Sequence, residues 1–310
     1  MNQPLIVLNA FVIRADSSAP AATRVARPRY NVNRRGEGVE DPNVADRTLT
    51  LTAQPQLEWE AFDEYWRKIH GPKILHSEGA DDDQTPRLTY YLQQHRIPSG
   101  PTTEFPAPYQ PKLADGRLVA TPAQHCAPYQ RPAWDGMAQL GYRSQGDLEA
   151  FFDVGPGKYG DKIVPDEAVF IRGFGFHLAE EQVIIQHGER RRDPIILLKL
   201  HARNTTLTRE QFRGRWMAQH ADLIRRLPQA RALIRRYAQL VNISKPGDKI
   251  YDPVGDRFDG VTALSFANMN DLEDFLASPE YATVQADEAD FARDTTYFTA
   301  LNYVIRDLTP

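Results

Sequence analysis

The chain has 310 residues, of which 41% are hydrophobic and 25% are charged, and its formal net charge is -4 at pH 7. This length predicts two domains, each able to bury a core of its own. The small acidic charge gives no general basic field, which argues against nucleic acid as the main partner. No apolar run approaches the roughly 18 residues that a membrane-spanning helix needs, so we expect no membrane partner either.

Cysteine is almost absent, since Cys126 is the only one in the chain. That count excludes an intrachain disulfide and any site built from several cysteines, and it fits a reducing cytoplasm. The apolar residues 5–13 follow no basic residue and precede no convincing cleavage site, so they indicate a strand and not a signal peptide. These features predict a cytoplasmic protein.

The sequence of the first predicted strand, residues 4–14, recurs in part further along the chain. Its PLIVL sequence at 4–8 resembles PIILL at 194–198, an offset of 190 residues. The following residues 16–55 form an insertion in the first copy, and the alternation of threonine with apolar residues at 48–53 predicts an added strand there. We expect this insertion to form a hairpin or a flap.

The strongest echo is a helical stripe of aromatic residues that ends in histidine. Phe62, Trp66 and His70 recur as Phe212, Trp216 and His220, so all three pairs share an offset of 150 residues. Residues four apart lie along one face of a helix, which predicts a buried stripe in each copy. Gly71-Pro72 follows the first stripe and predicts that the helix stops there, with His70 in its last turn.

The remaining elements recur in the same order. The matched pairs are a second strand at 87–97 and 235–243, a third strand at 135–140 and 259–264, a second helix at 147–151 and 271–275, and a closing strand at 171–178 and 296–306. A long segment at 98–134 has eight prolines and is either a lid or partner arm, or a passive surface loop.

Each copy therefore has the order β-α-β-β-α-β, the ferredoxin-like arrangement, with domains at 1–186 and 187–310. A single unit of this kind leaves one sheet face uncovered, and two units in one chain can cover each other. The predicted fold class is α+β, with both repeats pairing as an α+β barrel of about eight strands around a central cavity that holds one small ligand.

The motif Tyr65-Trp66-Arg67-Lys68-Ile69-His70-Gly71-Pro72, inside such a unit, resembles the EthD domain of the dimeric α+β barrel superfamily. Most EthD domains look to a partner chain for their second half, whereas this chain resembles a fused pair. The second copy departs from the motif, with Arg215 before Trp216 and Ala221-Asp222 in place of the Gly-Pro pair. That departure puts an active role for the second copy in doubt.

What the resemblance implies about activity is broad. EthD-like proteins include polyketide-tailoring decarboxylases or dehydratases of secondary metabolism and accessory proteins of ether degradation. More distant relatives include lactone isomerases, quinol-type monooxygenases and haem enzymes. Fold alone does not choose among these activities.

His70 is the main catalytic candidate, either as a general acid/base at the cavity or as a structural histidine. His220 is its counterpart, for which the structural role is favoured. Tyr91 is the candidate that polarises a carbonyl, because one face of each strand meets the cavity. Further substrate-binding candidates, each of which is alternatively a packing residue, are Tyr65, Trp66, Tyr90, Trp216 and Tyr237. No histidine spacing is typical of a metal site.

The leading hypothesis is an enzyme without a cofactor, of lyase or isomerase type, that dehydrates, decarboxylates or cyclises a small apolar aromatic or polyketide-like carbonyl compound. One alternative is a monooxygenase or haem-dependent oxidoreductase of the same superfamily. Another is a ligand-binding accessory protein. Pairing of the two repeats removes the usual need to dimerise, yet a homodimer stays open.

Overall fold

The computed structural model describes residues 4–15, 31–32, 38–39, 59–75, 87–98, 100–103, 113–114, 117–118, 134–152, 159–187 and 191–309. The strand expected at 48–53 and most of the segment at 98–134 lie outside these residues. Apart from residues 98, 100–103 and 134, what is described of these two segments is a pair of two-residue ladders. They join Asn31–Val32 to Gly38–Val39 and Leu113–Ala114 to Arg117–Leu118.

Among the described residues, the first repeat has four long strands and three helices. In chain order they are β1 (Ile6–Arg14), α1 (three consecutive segments, Trp59–Tyr65, Trp66–His70 and Gly71–Leu75), β2 (Leu88–Arg96), β3 (Gly136–Tyr142), α2 (Gln145–Phe151), α3 (Tyr159–Phe170) and β4 (Ile171–Gln186). The Ser144 side chain caps α2 by accepting a hydrogen bond from the Asp147 amide.

The second repeat follows the same order with two added short helices, α5 and α6. Its elements are β5 (Ile195–Arg203), α4 (Arg209–Arg215, Trp216–His220 and Ala221–Arg226), α5 (Pro228–Leu233), β6 (Arg236–Asn242), α6 (Pro253–Asp256), β7 (Gly260–Phe266), α7 (Met269–Ala277), α8 (Pro279–Phe291) and β8 (Ala292–Asp307). The predicted β-α-β-β-α-β order is confirmed in both halves.

The eight long strands close into one antiparallel barrel in the order β1-β3-β2-β8-β5-β7-β6-β4. Two strands of 16 residues, β4 and β8, join the repeats. The first half of β4 pairs with β1 and its second half with β6, while β8 pairs with β5 and then with β2. The closed ladder leaves no exposed barrel edge, and the predicted fold class is confirmed.

The interior of the barrel is packed with side chains. One apolar cluster contains residues of all eight strands, including Val7, Phe11, Leu92, Leu198, Val261 and Phe298. An eight-stranded barrel is just wide enough for its own side chains to fill it. The cavity beside His70 lies on the outer face of this barrel, under the helices, so the prediction that this site faces a central cavity is wrong.

The first helix also differs from expectation, because it continues past Gly71-Pro72 to Leu75. Residues Trp66–His70 form a π-helical turn, in which the Gly71 amide donates to the Trp66 carbonyl five residues back. Pro72 then falls in the first turn of the following α-helical segment, where its missing amide hydrogen is tolerated. The same π turn recurs at Trp216–His220. Both histidines therefore lie within a helix and not at its end.

Each tryptophan of the stripe is seated over a glycine of the third strand in its repeat. A Cβ atom added at Gly136 would lie 2.6 Å from the Trp66 ring, and one at Gly260 would lie 2.3 Å from the Trp216 ring. Neither contact is possible without movement of the indole. Glycine at these two positions therefore fixes how closely α1 and α4 approach the sheet.

We predict that Gly136→Ala and Gly260→Ala each destabilise the protein by about 1–3 kcal/mol, because the added methyl group overpacks the helix–sheet contact. Gly214→Ala is the matched control, since nothing lies within 4 Å of its added Cβ and the residue is inside α4. That control should be stabilising by about 0.5–1 kcal/mol. Urea unfolding measures all three, and equal effects would contradict the seating argument.

Candidate functional site

A cavity of about 30 Å³ lies between the helices of the first repeat and the outer face of its sheet. As it stands, this volume holds about two water molecules. Its apolar lining includes Trp66 and Ile74 of α1, strand residues such as Ala10 and Leu140, and three phenylalanines, Phe151, Phe152 and Phe174. The polar residues that line it are His70, Tyr91 and Glu167.

His70 is oriented by a carboxylate on the neighbouring helix α3. Its Nδ1 lies 2.8 Å from Oδ2 of Asp166, and both side chains are buried. A carboxylate accepts from Nδ1–H, so Nε2 is the nitrogen that His70 can offer to a ligand in the cavity. No described residue forms a hydrogen bond with that atom. This is the geometry of a general base held in one tautomer.

Asp166 is held as an anion by three donors. The hydroxyl of Tyr65 donates to Oδ1 over 2.7 Å, and the ammonium of Lys73 donates to the same oxygen over 2.5 Å. Burial by itself would raise the pKa of this carboxyl group. The hydrogen bonds from His70, Lys73 and Tyr65 outweigh that effect and lower the pKa to about 2.

Tyr91, on β2, presents a neutral phenol to the same cavity. Burial raises its pKa well above the ordinary value, so the hydroxyl keeps its proton throughout the neutral range. The oxygen accepts a hydrogen bond from Gln93 Nε2 at 2.7 Å. Tyr91 is therefore a hydrogen-bond donor toward the cavity at neutral pH.

Two acidic residues of the site, Asp166 and Glu167, are absent from the sequence-based candidates. The internal duplication could have identified them as candidates, because Asp166-Glu167 recurs as Asp287-Glu288, 121 residues later. Only the fold shows that the first member of each pair reaches the histidine of the stripe. His220 Nδ1 lies 2.8 Å from Asp287 Oδ2, the same distance as in the first repeat.

The space under the helices differs between the repeats at one strand position. Ala10 pairs with Ala138 across the first sheet, and Lys199 pairs with Thr262 at the matching place in the second. The buried Lys199 ammonium donates to both oxygens of Glu288, the counterpart of the cavity residue Glu167, and lies 5.0 Å from the Tyr281 ring. A lysine side chain therefore fills the region that is cavity in the first repeat.

The Lys199–Glu288 pair is charged in spite of its burial. Burial lowers the pKa of the lysine, but the adjacent carboxylate more than offsets this effect and raises it. His220 Nε2 lies 3.7 Å from the same Glu288. Burial lowers the pKa of His220, and the two carboxylates oppose that shift only in part. The second histidine is enclosed by an ion-pair network and has no comparable access to a ligand.

Of the other predicted site residues, some lie at the cavity beside His70 and others do not. Trp66 lines the cavity, and Tyr65 lies behind Asp166. Tyr90 faces the opposite side of β2, inside the barrel, where the Arg191 guanidinium covers its ring at 3.9 Å. Tyr90 therefore does not line the cavity beside His70, because adjacent strand residues point to opposite faces. Trp216 and Tyr237 belong to the core of the second repeat.

Two ferredoxin-like repeats closed into one barrel define a single-chain version of the dimeric α+β barrel. The sequence profile of the EthD domain matches residues 54–173 and 204–295, more than half of the chain. The chain belongs to the EthD domain family, and the two matched segments fall one in each repeat. None of the described helices is both long enough and apolar enough to cross a bilayer.

Several solved structures are similar over most of the chain at low identity. An anthrone oxidase-like protein is 9% identical, with 99% of this chain and 95% of that chain covered and a TM-score of 0.49. A mutant chlorite dismutase from Candidatus Nitrospira defluvii is 10% identical, with 98% and 94% covered and a TM-score of 0.44. These values support no inference about activity. No curated protein sequence matches the chain significantly.

We predict that Asp166 contributes acid-sensitive stability. Its pKa is about 2 when folded and about 3.9 in an unfolded chain, so the contribution is present above pH 4 and is lost as the pH falls through 2. The stability difference between wild type and Asp166→Asn should shrink by about 2 kcal/mol between pH 5.5 and 2.5 in urea titrations. The exposed Asp222→Asn variant should show a small and constant difference.

We also predict that Lys199→Ala destabilises the protein by about 3–5 kcal/mol, because Glu288 is left buried without its partner. The double variant Lys199→Met, Glu288→Leu removes both charges and should recover most of that loss. Guanidinium unfolding measures both proteins. A cost below about 1 kcal/mol for the single variant would contradict this prediction, because it would mean that water reaches and solvates Glu288 once the lysine is removed.

Proposed function

We propose that this protein is an acid/base enzyme of lyase or isomerase type that needs no cofactor and acts on a small, apolar carbonyl compound. The observation that carries the proposal is the convergence of two groups on one cavity: His70, oriented by Asp166, and the neutral hydroxyl of Tyr91. The first can move a proton, and the second can stabilise the charge that this movement creates.

The elementary step is proton transfer next to a carbonyl group. His70 Nε2 removes a proton from the carbon adjacent to the carbonyl, the C–H bond breaks, and its electron pair moves to the carbonyl oxygen as an enolate. Tyr91 donates a hydrogen bond to that oxygen. The imidazolium, paired with Asp166, then delivers a proton to another carbon, which gives isomerisation, or to a leaving group, which gives elimination. If the imidazolium first exchanges its proton with solvent and then returns one to the same carbon, the result is hydrogen exchange.

The walls of the cavity favour an aromatic or polyketide-like substrate. Phe151, Phe152 and Phe174 supply aromatic surface, and a dry environment strengthens the hydrogen bond from Tyr91. The present volume accommodates only the reacting end of such a molecule. The flanking segments 76–86 and 153–158, which border helices of the site, lie outside the described residues.

The proposal assigns one active site to each chain. The first repeat, which we place at 1–186, carries the cavity, and the second, at 187–310, keeps the same histidine and carboxylate as a structural framework. Lys199 occupies the region where a ligand would lie, and its ion pair with Glu288 is fully buried. His220 is accordingly a structural residue in this proposal.

The residues of the cavity do not fit haem. The macrocycle needs a wide, flat cleft, whereas the space beside His70 is about 30 Å³ and is bounded by Trp66 and three phenylalanines. We therefore derive no step through haem. A purely ligand-binding role would not require an oriented His–Asp pair to open onto the cavity, so the catalytic function is the better supported of the two.

Exchange of carbon-bound hydrogen for deuterium tests the proposal without knowledge of the substrate. Acetone, cyclohexanone and acetophenone are incubated with the protein in D₂O, and loss of the proton signal next to the carbonyl is followed by NMR. His70→Asn should lower the rate by on the order of 100-fold or more, whereas His220→Asn, the matched control, should leave it unchanged. Thermal unfolding confirms that both variants are folded. Equal losses would reject the assignment of the first histidine.

A further inference from the structure

The hydroxyl of Tyr91 has a defined direction because of the groups behind it. Its oxygen accepts a hydrogen bond from Gln93 Nε2 at 2.7 Å. That amide occupies a lone pair of the phenol oxygen, so the hydroxyl hydrogen has to point away from Gln93. Among the described residues, none accepts that hydrogen, and the cavity is the space that Tyr91 lines.

Gln93 can be placed in only one orientation. Its Nε2 also lies 3.0 Å from the backbone carbonyl of Trp66, which can only accept. The amide nitrogen is therefore fixed toward Trp66 and Tyr91, and Oε1 faces the other way. There it meets His95 Nε2 at 3.3 Å, so that nitrogen has to carry a hydrogen.

His95 is held in turn by α1. Its Nδ1 lies 2.7 Å from Asp63 Oδ1, and its ring stacks on Trp66 with centroids 4.2 Å apart and planes 9° apart. Burial lowers the pKa of His95, while the Asp63 carboxylate opposes that shift. Both ring nitrogens of His95 therefore face acceptors, Nδ1 the Asp63 carboxylate and Nε2 the amide oxygen of Gln93. Arg67 and Tyr303 also face Asp63 and His95.

The second repeat provides an internal comparison. Gln239 donates to the Trp216 carbonyl at 2.9 Å and to the Tyr237 oxygen at 2.6 Å, as Gln93 does in the first repeat. Val241 stands where His95 is, however, and Arg213 stands where Asp63 is. The buried Oε1 of Gln239 and indole nitrogen of Trp216 have no hydrogen-bond partner among the described residues. The complete chain of contacts occurs in the repeat that has the cavity.

We propose that Asp63, His95 and Gln93 are positioning residues that aim the hydroxyl hydrogen of Tyr91 into the cavity. This hydrogen-bond relay runs from the partly exposed carboxylate of Asp63 on α1, through the imidazole of His95 and the amide of Gln93, to the phenol oxygen of Tyr91. It rests on the proposed function, because it orients the group that stabilises the enolate. It adds three residues that do not touch the substrate and that act through Tyr91.

NMR of the full-length protein labelled with ¹³C at the ζ carbon of tyrosine tests the relay without any substrate. The ζ resonance reports the hydrogen bonds of the phenol oxygen. Gln93→Leu and His95→Phe should both shift the Tyr91 resonance, and Asp63→Asn should shift it less, because an amide oxygen still accepts from His95. Gln239→Leu is the matched control and should shift Tyr237 only. Tyr91→Phe assigns the signal.

A Tyr91 resonance that stays in place in His95→Phe overturns the proposal. Should the buried substitutions prevent folding, Asp63→Ala supplies the test, because that side chain lies at the helix surface, 19% exposed. Its Tyr91 signal should still move, and an unmoved signal again overturns the proposal.

Deuterium exchange into acetone then separates the relay from the proposed function. His95→Phe should lower kcat about tenfold with KM unchanged, and His95→Gln, which retains a donor, should recover part of the rate. Wild-type protein that shows no exchange would count against the proposed function and leave the spectroscopic test of the relay intact. A changed Tyr91 resonance with an unchanged kcat would reject the positioning role.

Discussion

The seating of one indole over one glycine determines where the chemistry of each repeat can lie. Trp66 over Gly136 and Trp216 over Gly260 bring α1 and α4 close enough for a glutamine of the second strand to bond the tryptophan carbonyl. That carbonyl lies in a π turn, and the histidine four residues later faces a carboxylate on a neighbouring helix, Asp166 of α3 or Asp287 of α8. The contact between helix and sheet therefore determines where the site residues of each repeat can lie.

The two repeats show how one scaffold gives two different outcomes. In both repeats the histidine Nδ1 lies 2.8 Å from an aspartate Oδ2, and in both a glutamate follows that aspartate in the sequence. A single strand position, alanine in one and lysine in the other, decides whether the space beneath the helix is open or filled with a buried ion pair. A buried ion pair adds little net stability over apolar packing, so the main consequence of this lysine is that it fills the space beneath the helix.

The fold could be predicted because the repeat carries its signal in residues whose role is packing. Phe62, Trp66 and His70 return with unchanged spacing, and each pair of strands and helices returns in order. The order of elements and the barrel follow from that repetition, and the family follows from the resemblance of the motif at residues 65–72. The prediction that the helix stops at Gly71-Pro72 was wrong. A π turn places the proline in the first turn of the next helical segment, and local propensity does not reveal this.

The contrast between the sites could not be predicted, because it depends on strand register. The PLIVL and PIILL segments suggest an offset of 190, which would align Ala10 with Leu200. The strand pairing in the structure gives an offset of 189 residues, which aligns Ala10 with Lys199. A shift of one residue turns every side chain to the other face of the sheet, so the lysine could not be placed under the helix. The contacts of Asp166 and His95 are likewise long-range.

The central claim is that each chain has one open acid/base site, at His70, and one closed site, at His220. Imidazole ¹⁵N NMR of the histidine-labelled protein, titrated with acetone, tests it most directly, with His70→Asn and His220→Asn assigning the signals. Our account predicts that the Nε2 resonance of His70 moves in a saturable way while both resonances of His220 stay fixed. Parallel movement of both histidines, or movement of His220 alone, would contradict it.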